Sequence, residues 1–244
     1  MMKHLDLFSG IGGFSLGLQR TGHFKTVAFC DFDKKTHSVL KKNFPEVPIY
    51  DDVRTLKGED IGTVDIITGG FPCQDLSVAG KGAGLAGERS GLWYEMHRLI
   101  KETKPRWVIA ENVSALRSRG LDEVLRSLAE IGYDAEWHCI PASAVGAPHR
   151  RDRIWIVAYP NDRGSAVWRH WEFSGSEKVT SLWGFIRRGT QEFISRQWWK
   201  IESRPHGVAN GVPNRVDRLK QLGNALVPQI VTIIGNAIVE AEQK

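Results

Sequence analysis

Leu5-Asp6-Leu7-Phe8-Ser9-Gly10-Ile11-Gly12-Gly13-Phe14 is the stretch on which the fold turns. Its apolar start, residues 5–8, reads as a β-strand, its glycines as a tight turn, and residues 13–20 as a helix. The same rhythm recurs downstream. Apolar runs at residues 26–29, 64–68, 107–110, 135–140 and 154–158 predict further strands, with a short extra one before Asp52. Helical periods follow the second strand through residue 42 and return at 92–102 and 121–131. Strands alternating with helices imply an α/β fold: a doubly wound, mostly parallel sheet with helices on both faces.

The rhythm stops after residue 159. Residues 160–213 have no clear period and are too long for an ordinary connection, so they read as a small insert. Helical periodicity resumes near Val216, interrupted by Gly223 and Pro228. The expected organisation is a catalytic domain at 1–159, an insert at 160–213, and a segment at 214–244 that returns to the first domain. Charge divides the chain similarly. Residues 150–220 hold 14 Lys and Arg against 7 Asp and Glu, and six of the nine tryptophans. A basic, Trp-rich block beside a near-neutral one suggests a polyanion-binding part next to a catalytic part.

At 244 residues, 41% hydrophobic and 25% charged, the chain suits one packed domain with an appendage. The N-terminus lacks a secretory pattern, and no apolar run approaches the roughly 18 residues of a membrane helix. Cys30, Cys73 and Cys139 are widely spaced and odd in number. They suggest a reduced, cytoplasmic setting without disulfides, bound metal or membrane.

Ser9-Gly10-Ile11-Gly12-Gly13 lies where a doubly wound sheet binds ligands, at the carboxyl ends of its strands. Its spacing differs from the dinucleotide-binding G-x-G-x-x-G. Asp31 ends the second strand about 20 residues on, where an acid meets ribose hydroxyls. Phe32 offers a flat face to an adenine, and Asp52 adds negative charge suited to a cationic nucleoside cofactor. Gly69-Gly70-Phe71-Pro72-Cys73-Gln74-Asp75-Leu76-Ser77 follows another strand, so Cys73 stands at the same edge, where exposed N–H groups favour a thiolate.

Taken together these runs resemble the DNA cytosine-5 methyltransferases. The first stretch is similar to that family's cofactor-binding opening, Asp31-Phe32-Asp33 and Asp52 to its ribose and adenine contacts, and Phe71-Pro72-Cys73-Gln74 to its catalytic loop. Glu111-Asn112-Val113, Arg150-Arg151-Asp152-Arg153 and Gly223-Asn224-Ala225-Leu226-Val227-Pro228 match three more of its motifs in order. The resemblance implies a Rossmann-like methyltransferase that uses S-adenosyl-L-methionine on duplex DNA as a monomer, one strand at a time, as in restriction-modification. It implies cofactor contacts from Phe8, Ser9, Gly10, Gly12, Gly13, Asp31, Phe32, Asp52 and Asn224. Cys73 becomes the nucleophile on carbon 6, Glu111 the group at ring nitrogen 3, Arg153 a contact to the base, and Arg151 a support. The target base must be flipped out, and the glycine-rich residues 77–90 read as a lid, with Ser77, Lys81 and Arg89 toward phosphates. Arg187 and Arg188 would touch DNA from the insert.

Three departures stand out. The insert is shorter than the family's recognition region, residues 212–219 replace a motif that usually precedes Gly223, and His149 stands where Gln is usual. Two other readings remain open at this point: a tRNA-directed enzyme of the same family, and a non-catalytic DNA-binding descendant.

Overall fold

The computed structural model describes residues 1–72, 91–162, 184, 189–190 and 224–243. Its elements in order are β1 (Met2–Leu7), α1 (Gly13–Gln19), β2 (Phe24–Cys30), α2 (Lys34–Asn43), β3 (Ile49–Tyr50), α3 (Gly58–Ile61) and β4 (Ile66–Gly69). Then come α4 (Leu92–Thr103), β5 (Trp107–Val113), α5 (Leu121–Glu130), β6 (Tyr133–Pro141), β7 (Asp152–Pro160) and the last helix, here α6 (Pro228–Glu242).

The strands form one seven-stranded sheet in the order β3-β2-β1-β4-β5-β7-β6. β1 to β5 pair in parallel, whereas β7 runs antiparallel to both β5 and β6. The mostly parallel sheet expected from the sequence is present, with one reversed strand that a hydrophobic run cannot announce. Chain order turns back at β1, which lies between β2 and β4. That is the switch point where open α/β sheets leave a crevice at the strands' carboxyl ends. Because β7 is reversed, its beginning lies at this same edge, with Arg153 opposite Val113.

Two cores cover the sheet, and alternation along each strand decides which side chain serves which. On one face Leu5, Leu7, Ile67 and Val108 pack against Trp93, Met96, Leu99 and Ile100 of α4 and Val124 and Leu128 of α5. On the other, Ile66, Trp107, Ile109 and Trp155 meet Phe14 and Leu18 of α1 and the apolar length of α6. Each fully buried Leu or Ile contributes about 1.5–3 kcal/mol, so these faces dominate the stability.

α6 brings the end of the chain back onto α1. The Thr232 hydroxyl donates to the carbonyl of Gly17 at 2.9 Å. A Cβ on Gly17 would stand 2.5 Å from the Pro228 carbonyl oxygen and 2.5 Å from Cβ of Val231, so the helices touch backbone to backbone. At its far end Glu242 accepts the Trp107 indole N–H at 2.7 Å and pairs with Arg106.

Candidate active site

The turn after β1 uses its residues in different ways. Phe8 leaves the strand at φ 51°, a left-handed conformation rare for a bulky residue. Gly10, at φ 53°, has open space where a side chain would be, so a ligand can approach its backbone. Gly12 and Gly13 are different. A Cβ on Gly12 would lie 3.1 Å from both Leu40 and Phe44, and one on Gly13 would lie 2.9 Å from Leu226. These two glycines admit neighbouring side chains and not a ligand. Ser9 is likewise turned inward: its hydroxyl donates to the Asp6 carbonyl at 2.6 Å and accepts the Cys30 N–H at 3.2 Å.

Asp31 closes the other side. One carboxylate oxygen accepts the Gly10 N–H at 2.7 Å and the other the Asp33 N–H at 2.9 Å. The Thr36 hydroxyl also lies 3.1 Å from Oδ1, which leaves the carboxylate acceptor capacity on its Gly10 side for a ligand hydroxyl. Next to it Phe32 is 74% exposed, an aromatic face left uncovered. Open backbone at Gly10, an acid with spare acceptor capacity and an exposed ring fit an adenosine-type group. Asp52 is engaged otherwise: Arg54 grips it with Nε at 3.0 Å and Nη2 at 2.7 Å, which holds its carboxyl below the ordinary range. Asn224 is exposed, two residues before the Leu226 that packs at Gly13.

Chemistry gathers at the exits of β4 and β5. Gly70 lies close against Glu111 there: a Cβ would come 3.2 Å from Oε2 of Glu111, tighter than ordinary contact. Phe71 is buried, its ring 5.2 Å from that of Trp93. The buried Asn112 donates through Nδ2 to the Phe71 carbonyl at 3.1 Å, and its Oδ1 accepts the Val113 N–H at 2.8 Å. The chain is thus pinned as far as Pro72, next to Cys73 in sequence. Sequence reasoning gave Gly70 and Asn112 no task of their own, although the glycine doublet before Phe71 was a signal for close approach.

Glu111 lies on the same sheet face as its cross-strand partner Trp155. Arg153 Nε stands 2.9 Å from Glu111 Oε1, close but not aligned as a hydrogen bond. Burial raises the Glu111 carboxyl above its ordinary value, and Arg153 and Arg151 counter only part of this. The result is a carboxyl that holds its proton to higher pH than an exposed one, which favours a role as hydrogen-bond donor to a ring nitrogen. Arg151 enters β7 at φ 37°, and burial lowers its guanidinium, with Arg153 adding repulsion.

The other two cysteines are poor nucleophiles. Burial pushes Cys30 up to about 12, with Asp31, Asp52 and Asp51 adding to it, and burial also raises Cys139. Cys73, Ser77, Lys81, Arg89, Arg187 and Arg188 lie outside the described residues, as do the expected lid and nearly all of the insert. Among the described residues no group of His, Cys, Asp and Glu could hold a metal ion, and no helix is long and apolar enough to cross a membrane.

A mostly parallel sheet of this order is shared with solved structures of other proteins. It matches a prophage-encoded protein from E. coli, described as a DNA modification methyltransferase, with TM-score 0.66 at 18% identity over 100% of both chains. It matches the S. pombe Dnmt2 methyltransferase with TM-score 0.57 at 19% identity, over 76% of this chain and 55% of that one. The chain belongs to the C-5 cytosine-specific DNA methylase family, whose model matches residues 2–183. Among curated relatives, type II methyltransferase M2.BsuMI of Bacillus subtilis (strain 168) is 39% identical over 165 residues, covering 64% of this chain and 42% of its own. M.HhaI of Haemophilus parahaemolyticus is 33% identical over 165 residues, covering 66% and 50%. The chain thus spans about half the length of the curated relatives it matches, or less.

Proposed function

We propose that this chain transfers a methyl group from S-adenosyl-L-methionine to carbon 5 of a flipped-out cytosine in duplex DNA, through a covalent Cys73 adduct. The observation that carries the reading is the buried Glu111 beside Arg153, directly across from a loop base that Asn112 pins up to Pro72.

Carbon 5 of cytosine is a weak nucleophile. Attack of the Cys73 thiolate on carbon 6 forms a carbon–sulfur bond and moves electron density to carbon 5. The negative charge that would reach nitrogen 3 is met by a proton from Glu111, whose carboxyl burial raises above its ordinary value. Arg153 holds the base's carbonyl oxygen, and Arg151 supports that loop. Gly10, Asp31 and Phe32 hold the cofactor, with Phe8 and Asn224 at the rim; Asp52 contributes after Arg54 releases it. Ser9, Gly12 and Gly13 shape the turn from behind. When bound, the cofactor supplies an electrophilic methyl group. Loss of the carbon 5 proton to a base, a bound water serving as well as any side chain, then expels Cys73.

Residues 77–90 close over the flipped nucleotide, with Ser77, Lys81 and Arg89 on phosphates. The basic insert at 160–213, with Arg187 and Arg188, selects the DNA sequence, and residues 214–244 return to the catalytic domain. The protein works as a cytoplasmic monomer without metal.

Incubation with radiolabelled S-adenosyl-L-methionine and either duplex DNA or tRNA, followed by bisulfite mapping, tests this. Label at cytosines of DNA is expected, with none from Cys73→Ser. Label on tRNA alone, or an undiminished Cys73→Ser variant, would overturn the assignment.

A further inference from the structure

Behind the Gly-rich turn lies a buried polar ring whose members have so far had no role. His4 and Asp6 of β1, Thr68 of β4 and Ser15 of α1 are buried there beside Thr26 of β2. His4 Nδ1 lies 3.0 Å from Thr26 Oγ1 and His4 Nε2 lies 2.7 Å from Thr68 Oγ1. The Thr26 hydroxyl donates to Ser15 Oγ at 2.8 Å, and the Ser15 hydroxyl donates to Asp6 Oδ2 at 2.7 Å. Asp6 Oδ1 is buried without a hydrogen bond of ordinary geometry, and Thr68, its register partner on β4, stands opposite.

Each hydroxyl has one proton to give, so the ring can be counted. Thr26 gives its proton to Ser15, so His4 Nδ1 must be the N–H that points at Thr26. Burial drives the His4 imidazole down to about 3, so it is neutral and its Nε2 is bare. Nε2 therefore accepts the Thr68 proton, and the Thr68 oxygen turns only lone pairs toward Asp6. A carboxylate there would set acceptor against acceptor and bury an uncompensated charge. A carboxylic acid would donate instead and close the ring.

We propose that Asp6 is a positioning residue for the cofactor turn and acts as a neutral acid, with a proton on Oδ1 directed at Thr68. The proposal rests on the reading of that turn as the cofactor seat. Asp6 reaches both flanks of the turn: its carbonyl takes the Ser9 hydroxyl at 2.6 Å, and Oδ2 takes the N–H of Ser15, in the first turn of α1, at 3.2 Å. The groups around its carboxyl are Ser15 from α1, Thr68 from β4, the neutral His4 on its own strand, and Asp31 at the end of β2. Asp31 repels a second negative charge, and among the described residues no cation offsets it. Burial foremost pushes the Asp6 carboxyl up to about 7. A group raised in this way stabilises the fold fully below its unfolded value and loses that contribution as pH rises through 7.

Asp6→Asn tests the idea, because its amide oxygen replaces Oδ2 and its NH₂ replaces the acid O–H. Thermal unfolding without ligand would be followed for both proteins from about pH 4.5 to about pH 8.5, and calorimetric binding of S-adenosylhomocysteine from about pH 6 to about pH 8.5. The native protein should lose affinity by up to about tenfold per pH unit above 7, while its melting temperature falls between about pH 4 and about pH 7 and levels off above. Asp6→Asn should show neither slope. A native protein with flat profiles, a D6N variant that keeps both slopes, or a D6N chain that fails to fold at the acid end would overturn the proposal. If neither protein binds S-adenosylhomocysteine while D6N still abolishes the unfolding slope, the ring stands and the cofactor reading falls.

Discussion

Gly17→Ala sets two physical effects against each other. Gly17 is a buried residue inside α1. By helix propensity alone, alanine in such a place stabilises by about 0.5–1 kcal/mol. Against this, the new Cβ would sit 2.5 Å from the Pro228 carbonyl oxygen, 2.5 Å from Cβ of Val231 and 2.8 Å from its Cγ1. Ordinary contact begins at about 3.5 Å, and two of these atoms belong to, or are fixed by, the α6 backbone, so no rotamer change relieves the clash. α6 must move by roughly 1 Å, which places the cost at the upper end of the ~1–3 kcal/mol of an overpacked core. The net is a destabilisation of about 2–2.5 kcal/mol, or a Tm lowered by about 4–10 °C for a chain of this size. Leu226 follows α6, so Gly13 loses its contact, and S-adenosylhomocysteine affinity should fall as well. Thermal unfolding by circular dichroism decides the matter. A Tm equal to or above that of the native chain would mean that α1 and α6 are not in backbone contact.

Other residues give sharper functional readouts. Asn112→Ala removes the donor on the buried Phe71 carbonyl, which should cost about 1–3 kcal/mol in urea unfolding and lower kcat more than cofactor affinity. Equal losses in both would show that Asn112 does not steer the loop. Glu111→Gln should lower methylation by at least about 10²-fold in a radiolabel assay. In the native enzyme the rate should decline as pH climbs through the raised Glu111 value and its proton is lost; a rate still rising there would contradict the donor role. Brief alkylation at neutral pH, read by peptide mass spectrometry, should spare Cys30, whose thiol burial holds near 12, and label Cys73.

Much of the architecture was legible because parallel strands covered on both faces are runs of apolar residues. β5 reads Trp-Val-Ile-Ala and is buried throughout that run. The ends were less so. β1 starts three residues earlier than expected, at Met2, because Lys3 and His4 look like a loop; His4 is fully buried only because Thr26 and Thr68 satisfy its ring. The reversal of β7 left no trace, since alternation has no direction. In the site, Asp31, Phe32 and Glu111 stand where their order in the chain suggested. Three glycines looked alike in sequence, yet only Gly10 faces open space, because what fills the room beside Gly12 and Gly13 is Leu40, Phe44 and a leucine more than two hundred positions away. Nor could the sequence show that Asp52 is paired with Arg54.

The clasp of α6 on α1 bears on when the protein becomes competent during synthesis. Thr232 binds the carbonyl of Gly17 across 215 positions, and Leu226 props Gly13. A growing chain has every strand of the sheet by residue 160, yet one face of the sheet and the back of the cofactor turn stay bare until α6 leaves the ribosome. Contacts this distant also slow folding. A product truncated before Pro228 would therefore present an open apolar face and an unsupported turn, a species for proteases and chaperones to clear, so that only chains translated through α6 have the turn backed.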